Sequence, residues 1–157
     1  MPKNRMLILL LLPLAIVIYF LFFKKTTSSI RQIRLQIRNQ SFSLEVASTV
    51  WQQAKGLSNR QSLCPTCGMI FVFPRSQIQT FWMKDTLIPL DMIFLNEMDQ
   101  IVTIHTAKPE PNTPDSLLQK YSSTSPAKYV IELNAGSARL LNLSIGQTLP
   151  MLSTLNF

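Results

Sequence analysis

The chain has little glycine, a single histidine and none of several common catalytic motifs. Its 157 residues include four glycines, where average usage would give about eleven. Each is therefore expected where φ is positive or where another segment approaches closely. No GxSxG nucleophile elbow and no GxxxxGK[ST] phosphate loop occurs, and His105 has no nucleophile pattern around it. These absences remove the usual sequence signatures of serine hydrolases and nucleotide-binding enzymes. The glycines are Gly56, Gly68, Gly136 and Gly146.

Only two cysteines are present, Cys64 and Cys67, in a CxxC spacing. A zinc site needs four ligands, which this pair and the distant His105 do not supply, so neither a metal nor another cofactor is predicted. A redox couple would need Cys64 at a helix N-terminus, whereas residues 68–71 have the composition of a strand. A structural disulfide is the favoured interpretation, and a redox couple is the alternative. A disulfide favours an oxidising, extracytoplasmic location.

Acidic residues are absent from the first part of the chain. Residues 1–38 contain seven lysines and arginines and no acid, whereas residues 39–157 contain eight basic and eight acidic residues. The net charge of +7 therefore lies entirely in residues 1–38, where it can attract anionic lipid headgroups. The remainder has no basic patch of the kind that nucleic-acid-binding domains show, so nucleic acid is not an expected partner.

Residues 6–23 (MLILLLLPLAIVIYFLFF) form an apolar run without a charge. As a helix this run would span about 27 Å, close to the hydrocarbon thickness of a bilayer. A cleaved signal peptide would have a shorter apolar core and small residues at its cleavage site, and a buried core helix would have a polar face. We therefore predict a transmembrane anchor over residues 1–23 that contacts the lipid membrane through residues 6–23, with cleavage as the alternative.

Residues 24–31 are predicted to be a polar tether, and residues 32–157 a single domain. Two arguments about its side of the membrane disagree. Basic residues are more numerous after the apolar run than before it, which favours a cytoplasmic domain. The very short N-terminal tail and the cysteine pair favour the opposite orientation. We predict a single-pass membrane protein with its domain on the extracytoplasmic side.

The pattern of residues 32–157 predicts an α+β fold that is mainly antiparallel β. Apolar residues alternate over 33–37 and again over 42–46, which is typical of a β-hairpin. Thr49 and Gln52 form a capping box for a short helix that Gly56 would end. Four prolines indicate a long loop over 107–127. We expect one compact bent or barrel-like sheet with short helices. Further strands are predicted at 69–73, 90–95, 100–107, 128–133 and 147–149, and a helix at 135–143.

Four segments carry a resemblance to a known family. They are 56–63 (GLSNRQSL), 68–73 (GMIFVF), 81–94 (FWMKDTLIPLDMIF) and 129–136 (YVIELNAG). In this order they resemble the bacterial and archaeal family called domain of unknown function 192, over about residues 44–149. The resemblance implies a compact, mainly β domain that is often exported or membrane-attached, and it implies no activity. Ser58 stands where the family usually has methionine, Asp85 stands where asparagine is usual, and the cysteine pair is not a general family feature.

The candidate ligand-binding residues are polar and aromatic side chains in or near these segments. Trp82 would form the wall of a pocket, with Lys84 and Asp91 as polar contacts. Asp91 and Glu132 lie inside apolar strands, and if they face inward they need partners such as Arg60 or Lys84. The blander interpretation is that the aromatic residues fill the core and the acids face solvent.

Three functions remain open from the sequence. The first is a membrane-tethered binding or accessory domain for an unknown small ligand or envelope component, with its site under the 107–127 loop. The second is an envelope hydrolase that uses Asp91 and Glu132 as an acid–base pair. The third is a purely structural envelope protein. Whether the protein is an enzyme stays uncertain, with a non-catalytic role favoured.

Overall fold

The computed structural model describes residues 30–149, which form one six-stranded sheet, one two-stranded sheet and two short helices. No helix within these residues is long and apolar enough to cross a membrane, and the predicted anchor lies outside them. The strands are β1 Gln32–Ile37, β2 Gln40–Ala47, β3 Cys67–Gln77, β4 Thr80–Phe81, β5 Leu90–Leu95, β6 Ile101–Ala107, β7 Tyr121–Ser122 and β8 Ala127–Asn134. The helices are α1 Val50–Lys55 and α2 Ser137–Leu140, and a 3₁₀ turn covers Asp115–Leu117.

The large sheet has the strand order β1-β2-β3-β8-β5-β6, and β4 pairs with β7. All of its neighbours are antiparallel except β2 and β3, which are parallel and connected through α1. The α+β, mainly antiparallel prediction is therefore confirmed. Within residues 30–149 the two end strands, β1 and β6, are not hydrogen-bonded to each other. The sheet is therefore open in its hydrogen bonding and does not form a closed barrel.

Each face of the sheet carries its own apolar cluster. Alternate residues of β1 and β2 pack on the first face, together with Ile70, Ile93 and Ile131 of the central strands. Met69, Met92 and their neighbours pack on the second face. Because the central strands are covered on both sides, all six residues of β5 are buried and the strand shows no alternation.

The predicted local features of the first half are present. Ile33 pairs with Leu44 in the β1–β2 hairpin, which confirms the alternation. The backbone N–H of Gln52 donates to Oγ1 of Thr49, and Oε1 of Gln52 accepts from the N–H of Thr49, so the capping box is complete. Gly56 ends α1 with φ of 48°. Local hydrogen bonding therefore decides where α1 begins and ends.

The predicted long loop before β8 contains the 3₁₀ turn and β7. It joins the rest of the domain through a short parallel bridge between Lys84 and Glu110, and through the pairing of Thr80 with Ser122. Leu118 anchors the loop as a buried side chain. These contacts, together with the packing of Tyr121 against the apolar cluster of the second face, place the loop over that face of the sheet.

A candidate ligand-binding cleft over Glu132

A cleft of about 180 Å³ opens on the second face of the sheet, and we call it the Glu132 cleft. One wall is the end of α1 with Gly56, Leu57 and Ser58. The other wall runs from Thr80 to Thr86, and its aromatic lining comes from Phe71, Phe73, Phe81 and Trp82. The turn at Gly56 places one wall, since its φ of 48° combined with ψ of −135° is reached without strain only by glycine.

Glu132 supplies a carboxyl group to this cleft from the middle of β8. It pairs across the sheet with Met69 on one side and Met92 on the other, and its residue surface is 4% exposed. No hydrogen bond or ion pair of this carboxyl group occurs among residues 30–149. Burial disfavours the charged form and raises the pKa of Glu132 from 4.5 to about 8.

Trp82 and Lys84 lie at the mouth of the cleft, and both contact the loop before β8. The Nζ atom of Lys120 lies 4.0 Å from the centre of the Trp82 ring, in a cation–π contact. The Nζ atom of Lys84 lies 2.6 Å from Oδ1 of Asp115. The hydrogen bond to Asp115 raises the pKa of Lys84. The loop therefore covers part of the cleft mouth.

Arg60 does not reach the cleft, because its guanidinium group pairs with Glu45. Its Nη1 atom lies 2.7 Å from Oε1 of Glu45, and Nη2 binds the second carboxylate oxygen. This bidentate ion pair lies on the same face of the sheet as Glu132, but neither residue lines the cleft. The expected partnership of Arg60 with Glu132 or Asp91 is not formed.

Asp91 lies on the opposite face of the sheet from Glu132. Asp91 pairs in register with Leu133, and Glu132 pairs with Met92, so alternation points the two carboxyl groups to different faces. The Asp91 carboxylate accepts from Oγ1 of Thr106 at 2.7 Å and from the backbone N–H of Ala138 at 2.8 Å. Asp91 therefore holds α2 against the sheet, and the structure does not bring the predicted acid–base pair together.

Several cleft residues were not anticipated from the sequence. Gln53 and Gln79 line the cleft, and their amide groups donate to backbone oxygens of Val72 and Ala127. In the sequence only their positions could have indicated them, since Gln53 follows Gln52 of the capping box and Gln79 lies two residues before Phe81. Neither signal indicates a cleft, because the segments meet only through the tertiary fold.

Asp85, a departure from the family pattern, has a conformational role. Its φ is 51°, in the left-handed region that Asn and Asp tolerate better than most residues. Its backbone oxygen accepts from the N–H of Asn59 at 2.9 Å, which joins the two walls of the cleft. The turn therefore needs a left-handed backbone conformation at position 85, which both aspartate and asparagine can adopt.

The cysteine pair forms the predicted disulfide, with Cα atoms 5.0 Å apart in the turn before β3. The backbone oxygens of Leu63 and Cys64 accept from the side-chain amide of Asn134, so the turn is also tied to the end of β8. The part of the chain from 30 to 149 contains no cluster of three or more His, Cys, Asp and Glu residues able to hold a metal ion.

The family model for domain of unknown function 192, described as "Uncharacterized ACR", matches residues 33–151. The chain belongs to this family. The four sequence segments that carried the resemblance form β3, β5, β8 and the two cleft walls. No curated protein matches the chain.

Two solved structures are similar to this member of the domain of unknown function 192 family. A candidate transcription regulator from Sinorhizobium meliloti 1021 is 34% identical, with 73% of this chain and 88% of that chain covered and a TM-score of 0.64. A protein of unknown function from Novosphingobium aromaticivorans DSM 12444 is 30% identical, with 77% and 86% covered and a TM-score of 0.68.

Proposed function

We propose that this protein is a membrane-tethered, extracytoplasmic domain that binds a small ligand in the Glu132 cleft. The observation that carries the proposal is the buried carboxyl group of Glu132, which lies beside the aromatic side chains of the cleft and has no hydrogen bond or ion pair among residues 30–149. Burying an ionisable group without a partner is destabilising, so its presence needs an explanation beyond packing. Concave, mostly apolar sites with a few polar groups are typical of small-ligand binding.

Tethering is part of the proposal and rests on the sequence. The apolar run at 6–23 has the length of a membrane span, and the basic residues beside it favour an anionic surface. The extracytoplasmic orientation is supported by the Cys64–Cys67 disulfide, since such bonds persist in oxidising compartments.

Two other functions are less well supported by the described residues. A hydrolase using Asp91 and Glu132 would need both carboxyl groups in one site, and they lie on opposite faces of the sheet. One similar structure is described as a candidate transcription regulator. Residues 32–157 of this chain contain ten basic and eight acidic residues, so the domain carries little of the excess positive charge that is typical of nucleic-acid binding.

The test is a ligand screen on the full-length chain in detergent micelles, read as the shift in melting temperature. The panel contains envelope sugars, peptides, lipids and small amines and acids. Each hit is repeated with Ser58→Met, which narrows the cleft at its wall, and with Asp91→Asn, which changes a buried carboxyl group on the other face.

Binding in the cleft predicts a hit that stabilises the wild type and Asp91→Asn but has a much smaller effect on Ser58→Met. A ligand at 100 times its Kd stabilises the folded state by about 2.7 kcal/mol, which is readily measured. If no compound stabilises the wild type, or if every hit stabilises Ser58→Met equally, the cleft is not a binding site and a structural role is favoured.

A further inference from the structure

Most polar groups in the Glu132 cleft are already satisfied by the protein. The hydroxyl groups of Ser58 and Thr86 both donate to the backbone oxygen of Lys84, at 3.1 and 3.2 Å. Thr80 shares a 2.8 Å hydrogen bond with the hydroxyl of Ser122. The amide groups of Gln53 and Gln79 donate to backbone oxygens. These side chains are therefore already hydrogen-bonded, whereas the carboxyl group of Glu132 has no hydrogen-bond partner among residues 30–149.

In the part of the chain that the structure describes, Glu132 has no counterion. The cleft lining contains two cations, Lys55 and Lys84, and no acid other than Glu132. Lys84 is held by Asp115, and Lys55 is exposed at the end of α1, where solvent screens its charge. Neither makes an ion pair with Glu132.

The aromatic lining suits a positively charged group. Ring faces carry negative charge density and attract ammonium groups, most strongly at tryptophan. The protein itself uses this property at the cleft mouth, where Lys120 lies over the Trp82 ring. Phe81 lies deeper, with its ring centre 4.9 Å from that of Phe71 and 6.2 Å from that of Phe73.

We propose that the Glu132 cleft selects a compact organic cation, whose primary ammonium group pairs with the Glu132 carboxylate while its apolar part packs on Phe71, Phe73 and Phe81. This inference rests on the proposed function and adds the charge class of the ligand. A volume of about 180 Å³ accommodates one small amine of this kind.

Such binding is coupled to a proton. In the empty cleft the pKa of Glu132 is about 8, so near neutral pH the carboxyl group is mostly protonated. An ammonium ligand needs the carboxylate, and its binding therefore releases the carboxyl proton to the buffer while the amine keeps its own. Affinity is expected to rise by about tenfold or more between roughly pH 6 and pH 9, where an alkylamine with the pKa of lysine stays charged.

The probes are three compounds with one apolar body: 2-phenylethylammonium, 2-phenylethanol and 3-phenylpropanoate. Their Kd values are measured by calorimetry on the full-length chain in detergent micelles, at pH 6 and at pH 9. Buffers of different ionisation enthalpy are used to count the protons released on binding. Glu132→Gln removes the charge and keeps the shape of the side chain. Glu97→Gln is the matched control, since Glu97 is an exposed carboxylate outside the cleft.

The expected result is that at pH 9 the ammonium compound binds at least about tenfold more tightly than the alcohol and the carboxylate. At pH 6 its binding should be weaker and should release a proton, because the carboxyl group of the empty cleft is protonated there. Glu132→Gln should abolish this preference, and Glu97→Gln should retain it. The inference is overturned if at pH 9 the carboxylate or the alcohol binds as tightly as the amine, if Glu132→Gln keeps the preference, or if none of the three binds. If the alcohol or the carboxylate binds and Ser58→Met abolishes that binding, the proposed function as a ligand-binding domain stands. Only the inference that the ligand is a cation is then wrong.

Discussion

Glu45 and Glu132 lie on either side of Met69 in one row across the sheet, yet among residues 30–149 only Glu45 of the two has a cationic partner. Glu45 pairs in register with Met69, and Met69 pairs with Glu132. Arg60 neutralises Glu45 with two hydrogen bonds, whereas the carboxyl group of Glu132 faces the cleft alone. The two acids therefore have different consequences for stability, and the contrast can be measured.

Glu132→Gln is expected to remove a pH dependence of the free energy of unfolding. The pKa of Glu132 is raised from 4.5 to about 8 in the folded state, so the unfolded chain ionises first as pH rises. Its contribution to stability is greatest below pH 4.5 and is lost as pH rises to about 8. The loss amounts to a few kcal/mol, because each pKa unit corresponds to about 1.4 kcal/mol. Urea denaturation at stepped pH measures it, and parallel curves for wild type and variant would contradict the assignment. Glu97→Gln serves as the control.

The Arg60–Glu45 pair is expected to stabilise the domain without affecting the cleft. The side chains of Arg60 and Glu45 are 36% and 14% exposed, and their contact is bidentate. A double-mutant cycle with Arg60→Met and Glu45→Gln should give a coupling energy of about 1 kcal/mol. Chemical denaturation supplies the four free energies. A coupling energy near zero would mean that solvent screens the pair, and altered ligand affinity in Arg60→Met would mean that Arg60 acts on the cleft.

Asp85→Asn is expected to leave stability nearly unchanged, and Asp85→Ala to lower it by about 1 kcal/mol. The position has φ of 51°, which Asn and Asp adopt more readily than alanine. Thermal denaturation of the two variants tests this. If Asp85→Asn were as destabilising as Asp85→Ala, the carboxylate charge rather than the backbone conformation would be the determinant.

Gly68→Ala is expected to disrupt the pairing of β3 with β8. An added Cβ would lie 2.5 Å from the backbone oxygen of Glu132 and 2.6 Å from a methyl group of Leu133, so the strands would have to separate. We expect a loss of roughly 3 kcal/mol or more. Gly146→Ala is the comparison, because its φ of 88° is strained for alanine but its surroundings are open, and about 1 kcal/mol is expected. Urea denaturation compares the free energies of unfolding of the two variants, provided that their m-values are equal. Equal losses of stability in Gly68→Ala and Gly146→Ala would contradict the steric explanation.

Local interactions allowed the sequence to predict much of the fold. The β1–β2 alternation, the Thr49–Gln52 capping box and the glycine positions depend on residues within a few places of one another. Gly56, Gly136 and Gly146 have positive φ, and Gly68 sits at a close approach, as the scarcity of glycine predicted. The parallel pairing of β2 with β3 could not be read in the same way, because it joins segments separated by α1 and the disulfide turn.

The sequence also identified three of the residues that line or reach the cleft. Trp82, Lys84 and Glu132 were predicted together, and the structure brings them to one cleft. Arg60 and Asp91 were predicted with them, but one pairs with Glu45 and the other holds α2. Side-chain type indicated which residues needed a partner, and it did not indicate which partner the fold would supply.

The sequence by itself determined the apolar run at 6–23, the charge imbalance, the hairpin and the caps, because composition and near-neighbour geometry are sufficient for these. Only the tertiary structure decided that Glu132 and Asp91 face opposite sides of the sheet. Their strands are buried on both faces, so no alternation of polar and apolar residues marks the direction of either side chain. Strand register alone sets that direction, and register depends on contacts between residues that are far apart in the chain.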